Sequence, residues 1–290
     1  MKRLAALVVA VGLVLGAIQL RRAFSDDGGS GGRNGDKPPA RRAGLICDST
    51  LEAACGRLDG VDITLERAGV TADRLAAGKP LGADGWVVAE PWVGIASFGL
   101  PERQELDATK AAAWSGVSAV VTKGSPAADC RDWACLAAAG VPTAHDSADT
   151  TGGLAGIGAL AGGRVERVDF SNTELDDDLD FNQWLSRVES SANLANRAAP
   201  VIELIQTAGG FQIALGLEVD AHSLNDKVTA ITPKDGPIIG IVLAGDTDVI
   251  PLDELADALV AQGWQRRLRG TAFNPGALAT LRGRVEDANR

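Results

Sequence analysis

The chain has 290 residues and a net charge of −10 from 28 basic and 38 acidic side chains, which excludes a generally basic nucleic-acid binder. The charge is unevenly split, with eight basic against three acidic residues in 1–42 and 20 against 35 beyond. A body of the remaining length buries roughly three quarters of its unfolded surface, and its hydrophobic content of 46% with 23% charged residues argues against disorder. Six Trp, six Phe and no Tyr disfavour a carbohydrate site built from several stacked rings.

Residues 4–20, LAALVVAVGLVLGAIQL, carry no charge and lie between Lys2-Arg3 and Arg21-Arg22. As a helix they reach about 25 Å, the short end of what spans a bilayer. The reading is an uncleaved signal anchor over 1–24, one transmembrane helix that makes the membrane itself a partner. A cleaved signal peptide is the alternative, with Ala23-Phe24-Ser25 as a weak cleavage site. The basic pairs balance, so charge alone does not orient the segment. Residues 25–42 are rich in Gly, Ser, Pro and charge and read as a flexible linker.

Cys47, Cys55, Cys130 and Cys135 form two local pairs without C-x-x-C spacing, and only His145 and His222 are available as imidazole ligands, so no metal site or cofactor is expected. Two disulfides, Cys47 with Cys55 and Cys130 with Cys135, fit an oxidising compartment. Four buried free thiols in a cytoplasmic body are the alternative. A bridge across five residues cannot form within a regular helix, so the CRDWAC segment must contain a helix end or a turn. With the bridges, the body lies on the extracytoplasmic side.

Along the body, short apolar runs alternate with helical stretches, the pattern of an α/β fold. Strands are expected at 43–47, 61–68, 84–92, 117–124, 140–144, 211–219, 228–233 and 238–245. Asp48-Ser49-Thr50 supplies cap chemistry for a helix through Leu51, Ala54 and Leu58. A short helix starts near Thr71, another passes through Trp133 and Leu136, and a small-residue helix, LAGIGALAG, follows the hydroxyl-rich stretch at 147–151. Ser171 with Glu174 reads as a capping box ahead of the acidic run ELDDDLD, which lacks the Gly and distal Glu of a calcium loop. PVIELIQTAG (200–209) reads as a short helix, and ELADALVAQGW (254–264) as an amphipathic helix closed by Gly263.

No phosphate loop, nucleophile elbow or zinc helix is present. GGLAGIG lacks the dinucleotide register, and His145 beside Asp146 has no activated nucleophile placed by any motif. No enzymatic function is expected.

The segments LICDSTLEAACGRL, ADGWVVAEPW, SGVSAVVTKGS, CRDWACLAAAGVPTAHDSADTTGGLAGIGAL and VTAITPKDGPIIGIVLAG, with LADALVAQGW and FNPGALATLR, resemble in order the elements of type II periplasmic-type solute-binding proteins. The resemblance implies a two-lobed α/β body, lobe 1 from 43–123 plus 229–290 and lobe 2 from 124–228, closing on a small ligand by hinge motion. It implies a transport function with a membrane transporter or surface protein as partner. The chain lacks a lipobox and any Tyr.

Ligands in open α/β sheets sit beyond the carboxyl ends of strands, where helix N-termini present free N–H groups. That rule selects Ser49 and Thr50 on one side and Thr150, Thr151 and Gly152 on the other, a set suited to an oxyanion or carboxylate. Glu90, Trp92 and Glu218 lie near the same strand ends, and the two glutamates would repel an anion or select an amine. The second functional reading is a ligand-free interaction module of a cell-surface assembly.

Overall fold

A computed structural model describes residues 42–98, 100, 106–176, 179–192, 200–207 and 210–289. The anchor expected at 1–24 and the linker up to residue 41 lie outside the described residues. Among the described residues no helix is long and apolar enough to cross a membrane.

Nine strands form one mixed sheet, β1 (Ala43–Asp48), β2 (Val61–Glu66), β3 (Gly85–Ala89), β4 (Ala113–Thr122), β5 (Thr143–His145), β6 (Ile213–Leu217), β7 (Val228–Ile231), β8 (Pro237–Gly245) and β9 (Thr271–Ala272). The order is β2-β1-β3-β8-β4-β6-β5, with β7 pairing β4 and β9 pairing β8. β4 is shared between two half-sheets. Its residues 113–116 run antiparallel to 238–241 of β8; its residues 117–121 pair antiparallel with β6, and 119–122 with β7. β2, β1 and β3 are mutually parallel, as are β5 and β6, so each half-sheet contains the crossover connections that bring strand ends and helix N-termini to one rim.

The strands follow from apolar runs: β3 is buried throughout, and β8 is buried at all but its last residue. β4 starts four residues earlier than its apolar run suggested, because Ala113–Gly116 pair with β8.

The described helices are α1 (Glu52–Cys55), α2 (Ala68–Ala76), α3 (Glu90–Ser97), α4 (Trp133–Ala138), α5 (Thr151–Arg164), α6 (Asn172–Asp176), α7 (Leu179–Ala192), α8 (Val201–Leu204), α9 (Leu252–Val260) and α10 (Pro275–Ala288). The helix expected through Leu58 is short: a 3-10 turn at Ser49–Leu51 runs into α1, which stops at Gly56. α2 begins at Ala68, and Thr71 sits inside it with its hydroxyl on Glu66. α3 occupies what the sequence presented as a strand end. Pro91 fits the first turn of a helix, where no N–H bond is required of it. Glu174 reaches back to the Ser171 N–H at 2.6 Å, the returning half of a capping box. Gly263, with φ of 95°, follows α9 in the left-handed region that glycine favours.

α5 is buried along nearly its whole length, and its small residues make that possible. A Cβ at Gly156 would stand 2.7 Å from that of Leu215 in β6, so only glycine lets the helix lie this close to the sheet. The larger core cluster runs through both half-sheets. A smaller one, including Val120, Ala214, Ile202 and Phe211, packs α8 on the second half-sheet.

The cysteines form the pairs Cys47–Cys55 and Cys130–Cys135. The second crosses a helix start, since α4 begins at Trp133 and Asp132 caps it by accepting the Cys135 N–H at 2.7 Å.

Candidate ligand cleft

β1 ends at Asp48, which is fully buried. Its Oδ1 accepts the Thr50 N–H at 3.2 Å and its Oδ2 accepts the Thr151 hydroxyl. Asp48 thus caps the 3-10 turn and also bonds the Thr50 hydroxyl, while Ser49 is half-buried and Thr50 exposed at the rim. Burial pushes the Asp48 carboxyl up, and the bonds from Thr151 and Thr50 partly offset this.

Across the rim, β5 ends at His145 and residues 146–150 lead into α5. Thr150 caps that helix: its Oγ1 accepts the Gly153 N–H at 3.1 Å and donates to the Ser147 carbonyl at 2.8 Å. The same loop is fastened to the first half-sheet's helices. The Gly69 N–H donates to the Asp149 carbonyl at 2.9 Å. Arg282 of α10 donates to Asp73 of α2 and to Asp149, both at 2.6 Å, while its guanidinium lies 5.5 Å from the Trp92 ring centroid.

Beside these contacts a cleft of about 790 Å³ opens. One wall carries Ser49 through Ala54 with Gln262 and Trp264. The facing wall carries Asp146, Thr150, Gly152, Glu203, Leu217, Val219 and Asp220. Four lining residues are carboxylates, Glu52, Asp146, Glu203 and Asp220, and no Lys, Arg or His is among the described lining residues. Asp220 stays open to the cleft on one side. Loss of water on its other sides pushes its carboxyl up to about 6, helped by Asp146 and Glu203 and opposed by the Leu217 N–H and His222. Burial also raises Asp146, whose Oδ1 accepts the Val201 N–H at 3.2 Å.

The structure brings Ser49, Thr50, Thr150 and Gly152 together on this cleft. The other expected residues are elsewhere. Thr151 is buried against Asp48. Trp92 is 1% exposed and lies beneath Arg282, so its ring is closed to solvent. Glu90 is the exposed first residue of α3. Glu218 follows β6, but its carboxylate lies over Gly116, where a Cβ would be 2.9 Å from Oε2.

The carboxylates Asp146, Glu203 and Asp220 carry no motif in the sequence. They are far apart along the chain and converge only through the parallel pairing of β5 with β6 and the packing of α8 on β6. His145 is structural: its Nε2 meets Glu189 Oε1 at 2.8 Å, its Nδ1 meets the Asp146 carbonyl at 2.7 Å, and Asn289 donates to Glu189 Oε2 at 2.9 Å.

No protein-family model and no curated protein matches the sequence. Solved structures do match the fold. A periplasmic thiamin binding protein superposes with a TM-score of 0.57 at 13% identity, covering 90% of this chain and 99% of its own. A GABA receptor gives 0.55 at 12%, covering 86% and 97%. A chain assigned as an extracellular solute-binding protein from Bordetella parapertussis gives 0.53 at 12%, covering 85% and 97%. The fold is therefore the α/β fold of periplasmic solute-binding proteins. These neighbours are named for what they bind and not for a reaction.

Proposed function

We propose that the protein is a non-enzymatic, extracytoplasmic solute-binding protein that captures a small molecule in the cleft between its two half-sheets. The observation that carries this reading is the cleft itself: about 790 Å³, lined by the turn after β1 on one side and by the start of α5 and the turn after β6 on the other. Its volume is within the range of small-molecule sites, and its position at strand ends is where this class of sheet accepts ligands. The lobes in this reading are 43–123 plus 229–290 and 124–228. The two disulfides fit an oxidising compartment, and residues 4–20 hold the body at the membrane, where a transporter or surface protein receives the solute.

A second reading, an interaction module that binds no solute, is supported by the protein's own contacts that fix the 146–151 loop to the opposite side, namely Asp48 with Thr151 and Arg282 with Asp73 and Asp149. A thermal-shift screen of the full-length chain against small solutes separates the two. A solute at 100 times its dissociation constant stabilises by about 2.7 kcal/mol. Silence across anionic, neutral and cationic solutes favours the interaction module.

A further inference from the structure

We propose that the solute is an organic cation, a small molecule bearing at least one protonated amino or guanidino group, held by the carboxylates of Asp146, Glu203 and Asp220. This rests on the reading of the cleft as a solute site and adds the ligand's charge class.

Three features of the cleft support it. First, its ionisable lining is of one sign: an anion entering would meet four carboxylates and no basic side chain among the described residues. Second, a carboxylate of the protein itself stands at the α5 N-terminus, the place that would otherwise attract an anion: a Cβ at Gly152 would be 3.9 Å from Asp220 Oδ2, and the Thr150 Oγ1 takes the Gly153 N–H. Third, no Lys or Arg forms an ion pair with Glu203 or Asp220 among the described residues, and the basic groups that act on this cluster are two histidines, His145 on Asp146 and His222 on Asp220.

The remaining lining fits the same chemistry. Ser49 and Thr50 present hydroxyl oxygens that accept ammonium N–H bonds, while Leu217 and Val219 give an apolar wall for a short carbon chain. A metal ion is the poorer occupant, because no three His, Cys, Asp or Glu side chains among the described residues stand close enough to share one.

The test is calorimetric titration of the full-length chain with 1,4-diaminobutane and agmatine, with succinate and sulfate as anions and 1,4-butanediol as the neutral analogue. The expected result is saturable binding of an amine that strengthens as pH rises from 5 to 7.5. Asp220 ionises over that interval under the influence of Asp146, Glu203 and His222. Asp220→Asn and Glu203→Gln should each weaken binding at least tenfold, and Asp220→Asn should flatten the pH dependence. Because both side chains face the cleft, circular dichroism of the variants should match the parent. Binding of succinate, sulfate or the diol with amines silent overturns the cation assignment while the solute-binding reading stands. Amine binding unchanged in both variants also overturns it. Silence with every probe, extended to the broader screen above, overturns both.

Discussion

The Thr151 hydroxyl donates to Asp48 Oδ2 inside the protein, where neither residue is more than 2% exposed. The bond joins the carboxyl end of β1 to the first turn of α5, two elements that belong to different half-sheets. It explains why Thr151 is not a cleft residue although its neighbours Thr150 and Gly152 are: its side chain is committed to a buried carboxyl that would otherwise lose a partner.

Thr151→Val keeps the shape and removes the donor. A buried acceptor without its partner costs about 1–3 kcal/mol, so the variant should be less stable by that order. The loss should depend on pH. Burial raises the folded-state pKa of Asp48 above its ordinary 3.8, so ionising it opposes folding as pH rises through and above that value. The Thr151 bond lowers that pKa, and removing it raises the pKa further. Urea denaturation should therefore show a larger destabilisation at pH 7 than at pH 4, and an equal loss at both would contradict the assignment.

The His145–Glu189 pair has the opposite sign. Burial alone pulls the imidazole down, but the hydrogen bond and charge of Glu189 outweigh it and raise His145 above its ordinary 6.5. Geometry agrees, since both ring nitrogens face acceptors, the Asp146 carbonyl and the Glu189 carboxylate. The pair's contribution is complete below pH 6.5 and is lost as pH rises through the higher folded value. The stability difference between the parent and Glu189→Gln should thus shrink from pH 6 to pH 9 in urea titrations. A difference that grows toward alkaline pH would refute the charged pair.

Each disulfide closes a small loop, worth about 2 kcal/mol in the loop-entropy model. Replacing Cys130 and Cys135 together by Ser should lower stability by about that amount. Mass spectrometry of unreduced protein isolated from an oxidising compartment should find no alkylatable thiol. Four alkylated cysteines in the folded protein would contradict the bridges and the compartment together.

Much of the architecture was legible in the sequence because it is carried by local apolar runs: β1, β2, β6, β7 and β8 coincide with theirs to within about three residues at either end. The rule that ligands meet strand ends selected Ser49, Thr50, Thr150 and Gly152, which share one cleft. What escaped depended on contacts between distant segments. Trp92 looked available at a strand end, yet α3 turns it under Arg282, about 190 residues away. Asp146, Glu203 and Asp220 have no common spacing, and only the β5–β6 pairing and the packing of α8 bring them to one cavity. The expectation of an oxyanion came from hydroxyls and a free helix N-terminus. In the folded chain the Thr150 hydroxyl caps the helix and the Thr151 hydroxyl bonds Asp48, contacts that the sequence alone does not show.

The most direct test of solute capture is native mass spectrometry of the full-length protein after exchange against a small-metabolite extract, with Ala53→Trp as the control. Ala53 is exposed and lines the cleft, so an indole there fills the cavity without removing a native hydrogen bond. A single small adduct on the parent, absent from Ala53→Trp, is the predicted result. No adduct on the parent, or the same adduct on both proteins, would contradict a solute site in this cleft.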